Sequence, residues 1–555
     1  MRRSVMEHQF SKLPEVYIQR SSFDRSHCVK TTFDSGYLIP IYVDEALPGD
    51  TFSLRNSVFA RLSTPVAPIM DNLFLDTFYF AVPIRLIWSN WERFNGAQDD
   101  PEDSTDFLVP VLNTSGVSFA PLSLSDYLGL PTGIPGIANV SALWHRAYNL
   151  IWNEWFRDEN LQDSVTVNKG DGPDPLTDYK LLRRGKRHDY FTSCLPWPQK
   201  GPGVELSLGT SAPVPMNTGT VRVYGDGKTM GFKGSNNEYQ TGYDSTAQGL
   251  ALYNGTGASI GNSLGTKSTF SQYVGLTTNK QHSGIVFDKA DIGDLTADLS
   301  SAVGPTVNAL REAFQIQSLY EKDARGGTRY TEILRSHFGV VSPDARLHRP
   351  EFLGGSTVRI MINPVAQTSS TDETTPQGNL SAFGLAVDSR GGFTKSFVEH
   401  CVLIGLACVR ADLSYQQGLP RMFSRQTRFD FYWPSLAHLG EQAVLNKEIY
   451  CQGTSADDEV FGYQERYAEY RYKPSVITGQ FRSTHPTPLD CWHLAQDFET
   501  LPALNESFIE ENPPVDRVVA VQSEPHILYD SFISLRCARP MPVYGTPAGV
   551  GGLHF

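Results

Sequence analysis

The densest group of side chains able to do chemistry is a basic run over residues 180–188, KLLRRGKRH. Guanidinium forks and ammonium groups match phosphate oxygens, so Lys180, Arg183, Arg184, Lys186 and Arg187 are candidates for contact with a nucleic-acid backbone. The same charges serve equally in salt bridges between subunits, or on a solvated face. Arg2 and Arg3 open a mildly basic stretch over residues 1–30, which reads either as a frayed end or as an arm reaching towards nucleic acid.

The remaining motifs are weaker. Two overlapping G-x-S-x-G matches, at residues 257–261 and 261–265, lie in Gly- and Ser-rich chain. They lack the preceding strand and following helix of a nucleophile elbow and read as accidents of composition. His485, Cys491 and His493 are metal-ligand types, but their spacing matches no common zinc site, and Pro486 and Pro488 favour a turn. Asp288, Asp291, Asp294 and Asp298 lack the glycine and terminal glutamate of a calcium loop and read as a solvated acidic face. No Walker loop, H-E-x-x-H pair or strand-linked dinucleotide fingerprint occurs. No catalytic, cofactor-binding or metal-ligating residue is therefore assigned.

Composition bounds the rest. The formal net charge is −13. A protein that neutralised nucleic acid by itself would be basic, so enclosed DNA would need a separate basic partner or small cations. At roughly 150 residues per domain the 555-residue chain reads as three or four domains, a prior that a β-sandwich with long insertions breaks. Charged residues make up only 19%, against 40% hydrophobic, which suits a subunit whose surface is buried on neighbours. The seven cysteines are scattered without a CxxC pair, as in a protein assembled in a reducing cytoplasm. No apolar leader follows Met1, and no window is long enough to span a membrane.

The elements that must position these residues are mostly strands. Residues 31–84 hold three runs rich in Phe, Tyr, Val, Ile and Leu, punctuated by Asp34-Ser35-Gly36, Pro48-Gly49-Asp50 and the prolines between 65 and 68. Over residues 143–157, Trp144, Tyr148, Trp152 and Trp155 recur at helical spacing, a stripe that reads as core rather than a base-stacking platform. Residues 209–304 are dominated by Gly, Ser, Thr, Asn and Gln and read as a projecting excursion. A helix is expected over 305–322 and another over 328–338, stopped by Gly339. Later strand candidates are 358–362, 401–410, 428–433, 466–472 and 531–536. Strands, then insertions, then strands again is the order that Greek-key connections produce.

Four separated blocks carry a family likeness: FDSGYLIPIYVDEALPGD, APIMDN and FAVPIRLIW within residues 31–94; LRRGKRHDYFTSCLPWPQKG at 182–201; ARGGTRYTEILRSHFGVVSPDARLHRPEFLGG at 324–355; and RPMPVYGTP at 539–547. In this order they resemble the major capsid proteins of the gokushoviruses, small single-stranded DNA phages of the Microviridae. The resemblance implies a mainly β fold: an eight-stranded antiparallel jelly roll, the viral capsid β-barrel, with long, partly helical insertions between strands. It divides the chain into a basic arm (1–30), first strands (31–84), an insertion with a helix (85–190), a mid-chain strand (191–208), a surface insertion (209–304), a helical segment (305–339), the remaining strands and loops (340–538) and an extended tail (539–555).

The implied function is structural rather than catalytic. Copies would close into a T=1 icosahedral shell around circular single-stranded DNA, and residues 209–304 would form a three-fold protrusion that meets a host surface receptor. The implied partners are further copies of the chain, a small basic DNA-packaging protein, a DNA pilot protein and a scaffolding protein, with no membrane insertion. The implied location is the virion, assembled in the host bacterial cytoplasm. Two other classes stay open on the residues alone: a glycan-binding β-sandwich, and a hydrolase with an unrecognised site.

Overall fold

A computed structural model describes residues 18–204, 306–341, 348–371 and 376–544, together with the short antiparallel pair Phe232–Lys233 and Tyr239–Gln240. The chain forms two units, Met1–Gly203 with Ile316–Phe555, and Val204–Gln315. All that follows concerns the first. The two G-x-S-x-G matches, the four aspartates between 288 and 298, and Arg2 and Arg3 lie outside the described residues.

Period-two alternation builds the body. In β4 (Thr51–Leu62) Phe52, Leu54, Val58, Ala60 and Leu62 point inward, while Ser53, Arg55, Ser57, Phe59 and Arg61 point out. The strands before it are β1 (Ser21–Asp24), β2 (His27–Phe33) and β3 (Ile39–Ala46); β5 (Leu73–Pro83) follows. After the insertions come β6 (Glu351–Ala366), β7 (Leu380–Ser396), β8 (Cys401–Ala411) and β9 (Ile527–Arg539). Every pairing among them is antiparallel, in the order β1-β9-β4-β7-β6-β5-β8-β3, and β2 lies on the same edge of β9 as β1. With β1 and β2 sharing one lane, the sheet has eight lanes. First pairs with last, β3 with β8, β4 with β7 and β5 with β6. That nesting is a long hairpin rolled on itself, the jelly roll.

The roll divides into two sheets that face each other. Glu351–Ile360 of β6 pairs with β5, and Met361–Ala366 pairs with β7, so this one strand passes from one sheet to the other. Between the sheets lie Ile41, Leu75 and Val409 against Val58, Ala386 and Tyr529, and further along Tyr42, Tyr79 and Leu403 against Leu54, Phe393 and Leu535. A separate cluster, with Phe191, Tyr415, Val444, Phe461 and Phe508, organises the segment between β8 and β9.

Several expectations need correction. The mildly basic arm ends earlier than residue 30, because Ser21–Asp24 and His27–Phe33 pair with β9. Described residues 191–204 hold turns, not a mid-chain strand. Their one bridge is Leu195 to Tyr463, since Pro196, Pro198 and Pro202 offer no N–H for a ladder. Residues 428–433 and 466–472 form tight turns, Arg428–Asp430 and Ala468–Tyr470, rather than strands. The 17-residue β7 was not anticipated, because Gly384, Gly391 and Gly392 break its apolar pattern. Gly392 (φ 145°) sits just past a bulge at Asp388–Gly391, where a side chain would collide with the Leu54 carbonyl. The helices stand where expected: α1 (Leu143–Trp155), α2 (Val307–Gly326) and α3 (Tyr330–Phe338), the last stopped by Gly339 at φ 69°.

Candidate functional site

The basic run is an extended segment threaded between two others. Leu38 N–H donates to the Leu182 carbonyl (3.0 Å) and Arg184 N–H to that of Gly36 (2.9 Å). On the other side Lys186 N–H donates to Ile509 and Glu511 N–H to Arg184, both at 2.7 Å. Gly36 makes the approach feasible: its φ is 85°, and a side chain would run into the Glu511 carbonyl.

Helix α1 fixes the run from behind. Ala147, Tyr148, Ile151 and Trp152 pack on Val82, Ile404 and Leu406 of the sheet, as expected for a core stripe. The polar tips of the same rings hold the run: Trp152 Nε1–H donates to the Arg183 carbonyl (2.8 Å), and Tyr148 accepts from Leu182 N–H (3.0 Å) while donating to Leu38 (2.9 Å). Sequence reasoning missed Arg146, whose side chain and that of Asp174 are both fully buried. Two hydrogen bonds of 2.6 and 2.7 Å join them, and the Tyr179 hydroxyl donates to the same carboxylate at 2.5 Å. Burial pushes the Asp174 carboxyl up, but these donors outweigh it and hold its pKa below the ordinary value. The signal in the sequence was an arginine on an otherwise apolar helix stripe.

The five predicted cations of the run separate into two kinds. Arg183 lies 4.0 Å over the Tyr37 ring and donates to the Ser35 and Glu511 carbonyls. Arg184 pairs with Asp76 at 2.5 Å, and Arg410 joins the same carboxylate at 2.8 Å. Burial would raise the Asp76 pKa, yet a hydrogen bond from Thr357 and the two guanidiniums bring it below the ordinary value. Lys186 is buried, donates to the Phe508 carbonyl (2.6 Å) and lies 4.8 Å over that ring; burial lowers its pKa against the pull of Glu511. Lys180 and Arg187 stay exposed, as does His188.

Beside the run opens a cleft of about 560 Å³. One wall is aromatic: Phe80 stands 5.6 Å from Trp155 and 5.5 Å from Phe352, with Phe78 and Phe156 adjoining. Trp155 and Phe352 keep 38% and 43% of their surface open, so ring area is available. The other wall carries Arg157, Arg184, Lys186, Arg187 and His188, with one carboxylate, Asp158. Rings beside cations form a surface suited to a planar base joined to a phosphate. The sequence placed the aromatic stripe and the basic run separately; the fold brings their ends, Trp155 and Arg187, to one cleft.

The proposed metal-ligand types are otherwise engaged. His493 is buried, with Nε2 2.7 Å from the Phe481 carbonyl and Nδ1 accepting from Ala495 N–H; His485 accepts from Thr487 N–H. No helix among the described residues is long and apolar enough to cross a membrane.

Comparison with known proteins adds the lineage. The capsid protein (F protein) family matches residues 11–549. Capsid protein VP1 of Bdellovibrio phage phiMH2K is 48% identical over 549 residues, covering 98% of each chain. Capsid protein VP1 of Chlamydia phage 1 is 46% identical, again over 98% of each. That of Spiroplasma virus 4 is 37% identical over 97% of each. Jelly roll, block order and full-length similarity agree: this chain belongs to the capsid protein (F protein) family of microvirus phages, with a structural role in the virion shell.

Proposed function

We propose that copies of this chain close into a T=1 icosahedral shell around circular single-stranded DNA, and that the chain carries out no catalysis. The shell reading rests on family membership, and closure multiplies contacts that are individually weak. The net charge of −13 leaves most phosphate neutralisation to a separate small basic packaging protein. A DNA pilot protein, a scaffolding protein, and a host receptor met by residues 209–304 complete the set that the family likeness implies.

The single observation that carries a direct DNA contact is the meeting of open rings and cations in one cleft. Arg187 is the exposed cation of the predicted set that lines it, with His188 beside it; Lys180 is exposed on the same run. Arg183, Arg184 and Lys186 hold internal partners and contribute through position. Arg2 and Arg3 remain proposed phosphate contacts from the N-terminal stretch.

The test is particle production from the complete set of phage genes, with Arg187→Ala and Lys180→Ala in this chain. Closed, uniform particles by electron microscopy support the shell. A lower ratio of DNA to protein absorbance, or release of DNA at lower temperature, supports the cleft. Unchanged DNA content and release temperature overturn the DNA contact but leave the shell standing. Discrete trimers or monomers stabilised by sugars would turn the reading to glycan binding.

A further inference from the structure

The segment 421–433 presents rings that the fold leaves uncovered. Met422, Phe423, Phe429, Phe431, Tyr432 and Trp433 are each between 48% and 69% exposed. The segment contains no strand or α-helix, only the tight turns Arg421–Phe423 and Arg428–Asp430. It is nonetheless firmly held. Arg421 donates to the Ala443 carbonyl (2.8 Å) and pairs with Glu448 (2.9 Å). The Asp430 carboxylate accepts from Thr427 N–H (2.7 Å) and Gln426 N–H (3.0 Å). The Trp433 indole N–H donates to the Arg428 carbonyl (2.8 Å). Arg425 ties the segment to its neighbour, 5.4 Å from the Phe431 ring, 4.3 Å from that of Tyr470, and paired with Glu469. Apolar rings fixed in place by polar bonds behind them pay little ordering entropy on docking.

We propose that this surface docks against a second copy of this chain in the shell. The inference rests on the shell-forming reading above. Three properties select that occupant. The first is area: side chains of this size, half exposed, offer roughly 500 Å², a large part of the about 800 Å² each partner gives to a standard interface. The second is residue type, since aromatic rings, methionine and arginine are the groups enriched at interface centres. The third is charge. Arg421 and Arg425 are already matched by Glu448 and Glu469, so a single strand of DNA would find rings without free cations, the reverse of a stacking platform. A basic packaging protein would meet arginine rather than acid.

Oxidative footprinting of unassembled subunits and of closed shells tests the inference. Phe423, Phe431 and Trp433 are expected to lose most of their oxidation on assembly. The double variant Phe431→Asp/Trp433→Asp is expected to keep the unfolding midpoint of the subunit while the yield of closed shells drops about tenfold or more, as for loss of interface hot spots. Equal oxidation in both states, or wild-type shell yield from the variant, overturns the docking. Protection seen in DNA-filled but not in empty shells reassigns the surface to nucleic acid and also overturns it. A wild-type chain that never closes into shells overturns the shell reading itself, which separates that failure from this one.

Discussion

The two sheets of the roll share a core but meet their surroundings differently. The sheet of β3, β8, β5 and the first part of β6 is covered on its outer face by α1, so β8 is buried at all eleven positions. The sheet of β2, β9, β4 and β7 keeps its outer face open, with Phe59, Val387, Leu528 and Phe532 between 44% and 61% exposed. The difference is written in the strands. β8 reads CVLIGLACVRA, nearly continuous in apolar residues, whereas β4 alternates strictly. A strand's period therefore reports what covers it as well as what it is. The covered sheet draws its stability from both faces; the open one leaves half of its surface for other contacts.

This contrast can be broken from its strongest point. Arg146→Ala strands Asp174 without its partner beneath the cover. Losing half of a fully buried pair costs about 3–5 kcal/mol, expected as a large drop in the urea midpoint of the unassembled subunit; a change within error would mean that the cover is not held by this pair. Next, Ile404→Ala on β8 should cost about 2–5 kcal/mol, while Val387→Ala on the open face should stay within about 0.5 kcal/mol. Equal costs would abolish the distinction between the sheets. The smallest effect concerns acid. Asp76, on the covered sheet, has a folded pKa below its unfolded value, so its stabilisation is present above the ordinary carboxylate pKa and is lost as pH falls through the lowered one. Asp76→Asn should cost about 2 kcal/mol at pH 7, and its deficit against wild type should shrink as unfolding is repeated in increasingly acid buffer. A deficit constant down to the most acid buffer would assign the loss to packing rather than to charge.

Much of this was legible in order rather than in pairing. The runs that became β3, β4 and β5, the aromatic helix and the two later helices all carry the right period. β7 was hidden because its glycines serve close backbone approach, which has no apolar signature. Residues 428–433 were read as a strand because aromatic composition alone does not tell a buried ring from a presented one. The basic run was legible as charge, but that Arg184 meets Asp76 and Lys186 meets the Phe508 carbonyl depends on partners 108 and 322 positions away. The cleft was half visible, since each wall had a sequence signal and only the fold joins them.

The position of β9 between β2 and β4 has a consequence for biosynthesis. On the ribosome, the early lanes emerge long before Ile527–Arg539 exists, and until that segment is released a gap separates them. Closure therefore waits for the end of translation, and a nascent subunit cannot join a growing particle before it is nearly complete. Truncated products, lacking the strand that fills the gap, would be excluded by the same geometry.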